Sequence, residues 1–164
     1  MEEYIREALK EAKNAGDILE VPIGCVIEYQ GAIIGRGYNQ RNIKKSTLAH
    51  AEILAIEEAT AYMQDWRLEE CTMYVTVEPC PMCAGAILQS RMTNLVIGTM
   101  NTKAGCVGSI YNLLDDSRFN HTVNVVRGVL EEECSSVMSE FFRNLRAKKK
   151  LDKEEKRLKS EGGM

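Results

Sequence analysis

The sequence predicts an α/β protein, a three-layer α/β/α sandwich built around a mixed five-stranded sheet. Three observations carry that prediction. Residues 21–29 and 32–37 are strand-like and flank Gln30-Gly31, the signature of an antiparallel hairpin. From residue 48 onward, helix-length apolar segments alternate with strand-length ones, which asks for helices on both faces of a sheet. The last two strand segments are some 23 residues apart with a helical stretch between them, enough for a right-handed parallel crossover.

In order along the chain, Tyr4, Ile5, Ala8, Leu9, Ala12 and Ala15 recur at helical spacing, so residues 3–15 form an amphipathic helix ending near Gly16. The hairpin follows, then a polar stretch over 39–47 and a second helix over 48–63. Residues 72–77 are rich in β-branched side chains and read as a strand. Pro81 suits the first turn of a third helix reaching Ser90, where its missing N–H costs no helical bond. Residues 94–98 form the next strand, and a glycine-bearing loop over 99–108 leads to a short helix over 110–114. Residues 122–127 make the last strand, and a long helix runs from Leu130 past Arg146. Residues 1–150 are taken as one domain, and 151–164 as a flexible charged extension with no assigned fold.

The chain has 164 residues, 45% of them hydrophobic and 27% charged, which suits one domain with its own core and excludes wholesale disorder. Lys and Arg total 21 against 24 Asp and Glu, a net charge of −3. That acidic average argues weakly against nucleic-acid binding, but averages hide local stripes. Residues 143–150 hold five basic side chains and no acidic one, and Arg41, Lys44 and Lys45 stand just before His50. Such runs suit a phosphate track, although lysines at a helix C-terminus are also ordinary dipole complements. The first residues lack the pattern of a secretory signal and no long apolar run is present, so a cytoplasmic protein with no membrane span is expected. Six cysteines are then expected as reduced thiols, with Cys25, Cys71 and Cys134 as small core residues.

Two clusters carry chemistry: His50-Ala51-Glu52 opening a helix, and Pro79-Cys80-Pro81-Met82-Cys83 at a strand-to-helix junction. A three-residue spacing in a first helical turn puts both sulfurs on one side, and the helix N-terminus favours thiolates. One imidazole and two thiolates leave the fourth tetrahedral position of a zinc ion open for water, the arrangement of a catalytic site. A structural zinc would need another donor, for which His121 and Cys106 are the candidates. Alone, each cluster has a bland reading: a histidine beside a solvated glutamate, or a thioredoxin-like dithiol. Together they fit the His-x-Glu…Pro-Cys-x-x-Cys signature of zinc deaminases, with Glu52 as proton carrier and His50, Cys80 and Cys83 as ligands.

Further segments extend the match: Val21-Pro22-Ile23-Gly24, Tyr74 through Ala86, Gly105-Cys106-Val107-Gly108-Ser109, Asn120-His121 and Phe141-Phe142-Arg143-Asn144-Leu145-Arg146. On these the chain resembles the TadA family of bacterial tRNA-specific adenosine deaminases, within the cytidine/deoxycytidylate deaminase superfamily. The resemblance implies a cytidine deaminase-like fold, one zinc ion per subunit, and conversion of adenosine to inosine at the anticodon wobble position of a tRNA. It also implies a homodimer, a purine contact from Asn39 and from the backbone N–H of Ala51, and an anticodon-loop path along Asn120, Phe142 and Arg146. Asn39 can equally be a turn residue, and one of Phe141 and Phe142 is expected in the core. The loop Met100-Asn101-Thr102-Lys103 departs from the commonest family spelling, which often has an acidic residue where Asn101 stands. The competing enzyme is a deaminase of a free base, nucleoside or nucleotide, of guanine or cytosine type. A non-catalytic partner subunit is the other class, and the presence of Glu52 argues against it.

Overall fold

A computed structural model describes residues 1–163. Its elements are α1 (Glu2–Asp17), β1 (Gly24–Tyr29), β2 (Ala32–Tyr38), α2 (Ala51–Met63), β3 (Thr72–Val77), α3 (Pro81–Gln89), β4 (Asn94–Thr99), β5 (Asn124–Arg127) and α4 (Glu131–Glu161). The sheet has the order β2-β1-β3-β4-β5. β1 pairs antiparallel with β2 and β3, whereas β3–β4 and β4–β5 are parallel. The expected mixed five-stranded sheet is therefore present.

Strand alternation sorts the core into two layers. Cys25, Ile27, Met73, Val75, Leu95 and Ile97 face one side, in a buried cluster with Ala51, Ala55, Ala84 and Ile87 of α2 and α3. Val26, Tyr74 and Val96 face the other, against Ile5 of α1 and Cys134 of α4. Cys25, Cys71 and Cys134 are all buried free thiols, as the sequence suggested. α2 lies almost directly on β2: a Cβ at Gly37 would run into the backbone carbonyl of Ala51. Only glycine lets the two backbones approach so closely.

Several boundaries differ from the sequence reading. The short helix expected over 110–114 is a single 3-10 turn, Leu113–Asp115. Backbone groups there are already committed, with Ile110 N–H donating to Gly105 O, Gly108 N–H to Tyr111 O, and Val107 bridging Asn112. β1 starts at Gly24 because Ile23 N–H closes a local turn onto Val21 O across Pro22. α2 starts at Ala51, since His50 is in extended backbone (φ −84°, ψ 153°) and stands at the cap position. The chain turns into α4 through Gly128 (φ 82°) and Leu130 (φ 52°). α4 then continues to Glu161, so 151–161, given no fold above, are an exposed continuation of that helix. Among the described residues no helix is long and apolar enough to cross a membrane.

Candidate metal centre

The two chemical clusters meet at the N-termini of α2 and α3. His50 and Cys80 are the residues immediately before the first helical turn of α2 and α3, both in extended backbone, and Pro81 opens α3 as expected. His50 Nδ1 lies 3.6 Å from Cys80 Sγ and 3.5 Å from Cys83 Sγ. Among the described residues this trio is the one group of three or more His, Cys, Asp or Glu that could hold a metal ion, its donor atoms all within 4.8 Å of one another. The alternative donors stand elsewhere. His121 Nε2 is bonded to Met92 O at 2.8 Å, and Cys106 is a core residue whose N–H donates to Pro79 O.

The trio shares protons unevenly. A hydrogen bond from the Cys83 thiol, helped by His50, holds the Cys80 thiol down to about 4. The Cys83 thiol is pushed far up by the Cys80 thiolate and by burial. The His50 imidazole is held above its ordinary value, first by its bond to Cys80. Binding a cation at this trio requires the thiol protons to leave.

Glu52, on the first turn of α2, is 4% exposed. Burial raises its carboxyl above the ordinary range, against the lowering effect of a hydrogen bond with Cys83. It lines a cavity of about 210 Å³ with Asn39, His50, Ala51 and Cys80. That is below the ~300–1,000 Å³ common for drug-sized ligands and suits one small ring system. Asn39 is held at both ends of its amide: Nδ2 donates to Val21 O (3.2 Å), and Oδ1 accepts from Arg41 N–H (3.2 Å). It is therefore both a turn residue and a cavity wall. Arg41 lines the cavity too, while Val21, Ile23 and Val77 supply an apolar side.

Asn120, Phe142 and Arg146 do not line this cavity; all three are exposed, Asn120 in the loop before β5 and the others on α4. Phe141 is the more buried of the aromatic pair and lies in a groove between α4 and α1 with Leu9, Val137 and Asn144.

The sequence reading did not single out Glu78. This buried carboxylate accepts from the backbone N–H of Asn101 (2.9 Å), Val107 (2.9 Å) and Ser109 (3.0 Å), and from the Ser109 hydroxyl. Burial raises its carboxyl, but these donors outweigh burial and hold it below the ordinary value. A Cβ on Gly105 would strike the carboxylate, so a side chain there would push Glu78 off these donors. Glu78 and Asn101 both line the cavity. Asn101 in turn caps its own loop, Oδ1 accepting from Lys103 and Ala104 N–H at 3.2 Å each. A carboxylate at position 101 could accept the same two bonds, which accounts for the departure in spelling there.

Known proteins resemble the chain over nearly its whole length. The profile of the MafB19-like deaminase family matches residues 1–146. A tRNA-specific adenosine deaminase of Bacillus subtilis (strain 168) is 53% identical over 147 residues, covering 90% of this chain and 91% of the relative. A tRNA-specific adenosine deaminase of Streptococcus pyogenes serotype M1 is 47% identical over 150 residues, covering 92% and 88%. A solved structure from work on A-to-I editing by tRNA:A34 deaminases superposes with a TM-score of 0.79 at 36% identity, covering 82% of this chain and 98% of the other.

Proposed function

The chain belongs to the MafB19-like deaminase family, and from its site and its tRNA-specific adenosine deaminase relatives we propose that it hydrolyses adenosine to inosine at the wobble position of a tRNA anticodon. The observation that carries the reading is the meeting of Glu52 with His50, Cys80 and Cys83 at one small cavity in a chain so similar to tRNA-specific adenosine deaminases. A deaminase of free bases or nucleosides is not favoured by those relatives.

Zinc suits the donor set. Zn–S near 2.3 Å and Zn–N near 2.0–2.1 Å at tetrahedral angles put N and S about 3.6 Å apart. The distances at His50 are 3.6 and 3.5 Å. A zinc ion held there would lower the pKa of water from 15.7 toward ~7, supplying a nucleophile at neutral pH. Glu52 accepts the proton of the attacking water and delivers it to the base. An oxygen–carbon bond forms at C6 of adenine as the ring nitrogen takes that first proton; the second proton passes from the new C6 hydroxyl to the amino group, the C6–N bond breaks, and ammonia leaves a C6 carbonyl. Burial raises the Glu52 carboxyl above its ordinary value, the direction that favours giving a proton back as well as taking one. Asn39 and the backbone N–H of Ala51 orient the purine, and the Val21–Ile23–Val77 side excludes water. Asn120, Phe142 and Arg146 are assigned to the RNA outside the cavity, and the working compartment to the cytoplasm.

The deciding experiment measures inosine in whole tRNA beside deamination of free adenosine. Inosine at the wobble position with little turnover of the nucleoside is expected. Efficient nucleoside turnover with untouched tRNA would remove the tRNA assignment. For the metal, one zinc per chain is expected, and Cys83→Ala should lose both zinc and folded yield, read by elemental analysis and soluble recovery. The active form is read as a homodimer, a reading supported by Ile110, Tyr111 and Phe119, exposed by 51%, 71% and 44%. Light scattering at assay concentration should give twice the chain mass; a fully active monomer would end that reading.

A further inference from the structure

α4 carries a second feature that the cavity does not use. Its last turns project beyond the domain, and residues 146–161 are exposed throughout. At 100° per residue, Arg143, Arg146, Lys150, Lys153 and Arg157 follow a 3-4-3-4 spacing along one side of the helix. Lys149 and Lys156 flank that row, and the exposed ring of Phe142 lies within it, one turn from Arg146. Between 143 and 157 no acidic residue falls inside this arc of about 140°; Asp152 and Glu155 project elsewhere, and Glu154 marks its edge.

A merely solvated helix surface interleaves the two signs, because i,i+4 pairs then support the helix. Here Glu154 stands four residues after Lys150 and three before Arg157, yet among the described residues it makes no salt bridge with either. Among the described residues Arg143, Arg146, Lys150 and Lys153 have no salt-bridge partner, and Arg157 meets only Glu161, at 3.9 Å on the exposed surface. An exposed pair of that kind is worth little and yields to a stronger anion. The opposite side of the helix, with Val137, Phe141 and Asn144, faces the groove against Leu9, Gly16 and Pro22 of the domain. Pro22 stands between Val21 and Ile23, both walls of the candidate catalytic cavity. The helix therefore leaves the domain beside the cavity with its basic row turned outward.

We propose that this row, Arg143-Arg146-Lys150-Lys153-Arg157, binds the phosphodiester backbone of the substrate RNA outside the nucleotide loop that enters the cavity. At 1.5 Å per residue the row is about 21 Å long, long enough to follow a stem backbone across several phosphates. Phe142 at its root offers a face for stacking an unpaired base. The opposite side of the projecting part carries only Leu151 and Leu158, too little apolar surface for a helix lying in a membrane. The inference rests on the tRNA reading above.

The test compares two double variants that remove the same charge from the same helix: Lys150→Ala with Arg157→Ala on the row, and Lys148→Ala with Lys159→Ala on the opposite side. Binding of whole tRNA is followed from low to moderate salt, with circular dichroism to confirm equal helicity. Each lost duplex phosphate contact lowers the slope of log affinity against log salt by about 0.9. The row variant should lower it by about 1.8, and the opposite-side variant should leave it at the wild-type value. Turnover at saturating tRNA should stay unchanged in the opposite-side variant. Equal slopes for the two variants, in a wild-type chain that does deaminate tRNA, would overturn the row and leave the functional reading standing. A wild-type chain that neither binds nor deaminates tRNA overturns both.

Discussion

The start of α2 and the end of β3 each place a glutamate in the wall of one cavity, and each glutamate is nearly sealed from solvent, Glu52 at 4% and Glu78 at 3% exposure. Their carboxyls are displaced in opposite directions. Burial dominates at Glu52, and the hydrogen bonds from the Cys83 thiol and from its own backbone N–H do not offset it, so its proton is held more tightly. At Glu78 burial acts in the same sense, but the donors from Ser109, Asn101 and Val107 outweigh it and fix the anion. Burial alone therefore does not decide what a carboxylate does. The number of donors aimed at it decides whether it can trade protons or only anchor backbone.

The largest effect expected from this contrast is on turnover. Glu52→Gln should lower kcat by ~10²–10⁴ while leaving zinc content and melting behaviour intact, the loss typical of a positioned general acid/base. Retention of more than about a tenth of the wild-type rate would show that Glu52 is not the proton carrier. The second effect is on stability. Glu78→Gln leaves an amide NH₂ facing backbone donors, and hydrogen bonds to a charged group are worth about 1.5–3 kcal/mol each. A loss of that size should lower Tm by about 3–12 °C in a domain of this length, with the loop over 99–109 exchanging its amide protons faster. If the metal-free Glu52→Gln chain lost as much stability, the contrast would collapse. The smallest effect lies in the acid limb. Glu78 titrates below its unfolded value of 4.5, so its contribution is present above that value and is lost as pH falls through the folded pKa. Acid unfolding of Glu78→Gln should accordingly begin from a lower plateau and fall less steeply below about pH 4.5. Parallel curves for the two proteins would show that the loop takes nothing from the charge.

The cluster of His50, Cys80 and Cys83 was legible because each part is local in sequence: a helix start fixes the His50–Glu52 relation, and a first turn fixes Cys80 against Cys83. The sheet was legible for a similar reason, since period-two runs and a hairpin turn are short-range signals. Glu78 was not, because its partners lie 23 to 31 residues downstream and nothing local distinguishes it from an acid ending a strand. The 3-10 turn at Leu113–Asp115 escaped for a related reason, its neighbours' N–H groups being taken by the bridge from Val107 to Asn112. The resemblance supplied Asn120, Phe142 and Arg146, and the fold leaves them exposed and outside the cavity.

The close seat of α2 on β2 has a consequence for anyone reading a mutational scan of this enzyme. Gly37 belongs to an edge strand and touches no proposed reacting group, yet the carbonyl it rests on belongs to Ala51, between His50 and Glu52. An added Cβ there would overlap that carbonyl oxygen, so the backbone between His50 and Glu52 would have to move. Misplacement on the scale of ~1 Å is enough to cost 10²-fold in rate. Gly37 should therefore score as a loss-of-function position in an activity screen while soluble yield falls far less, and a ranking by distance from the reacting atoms would overlook it.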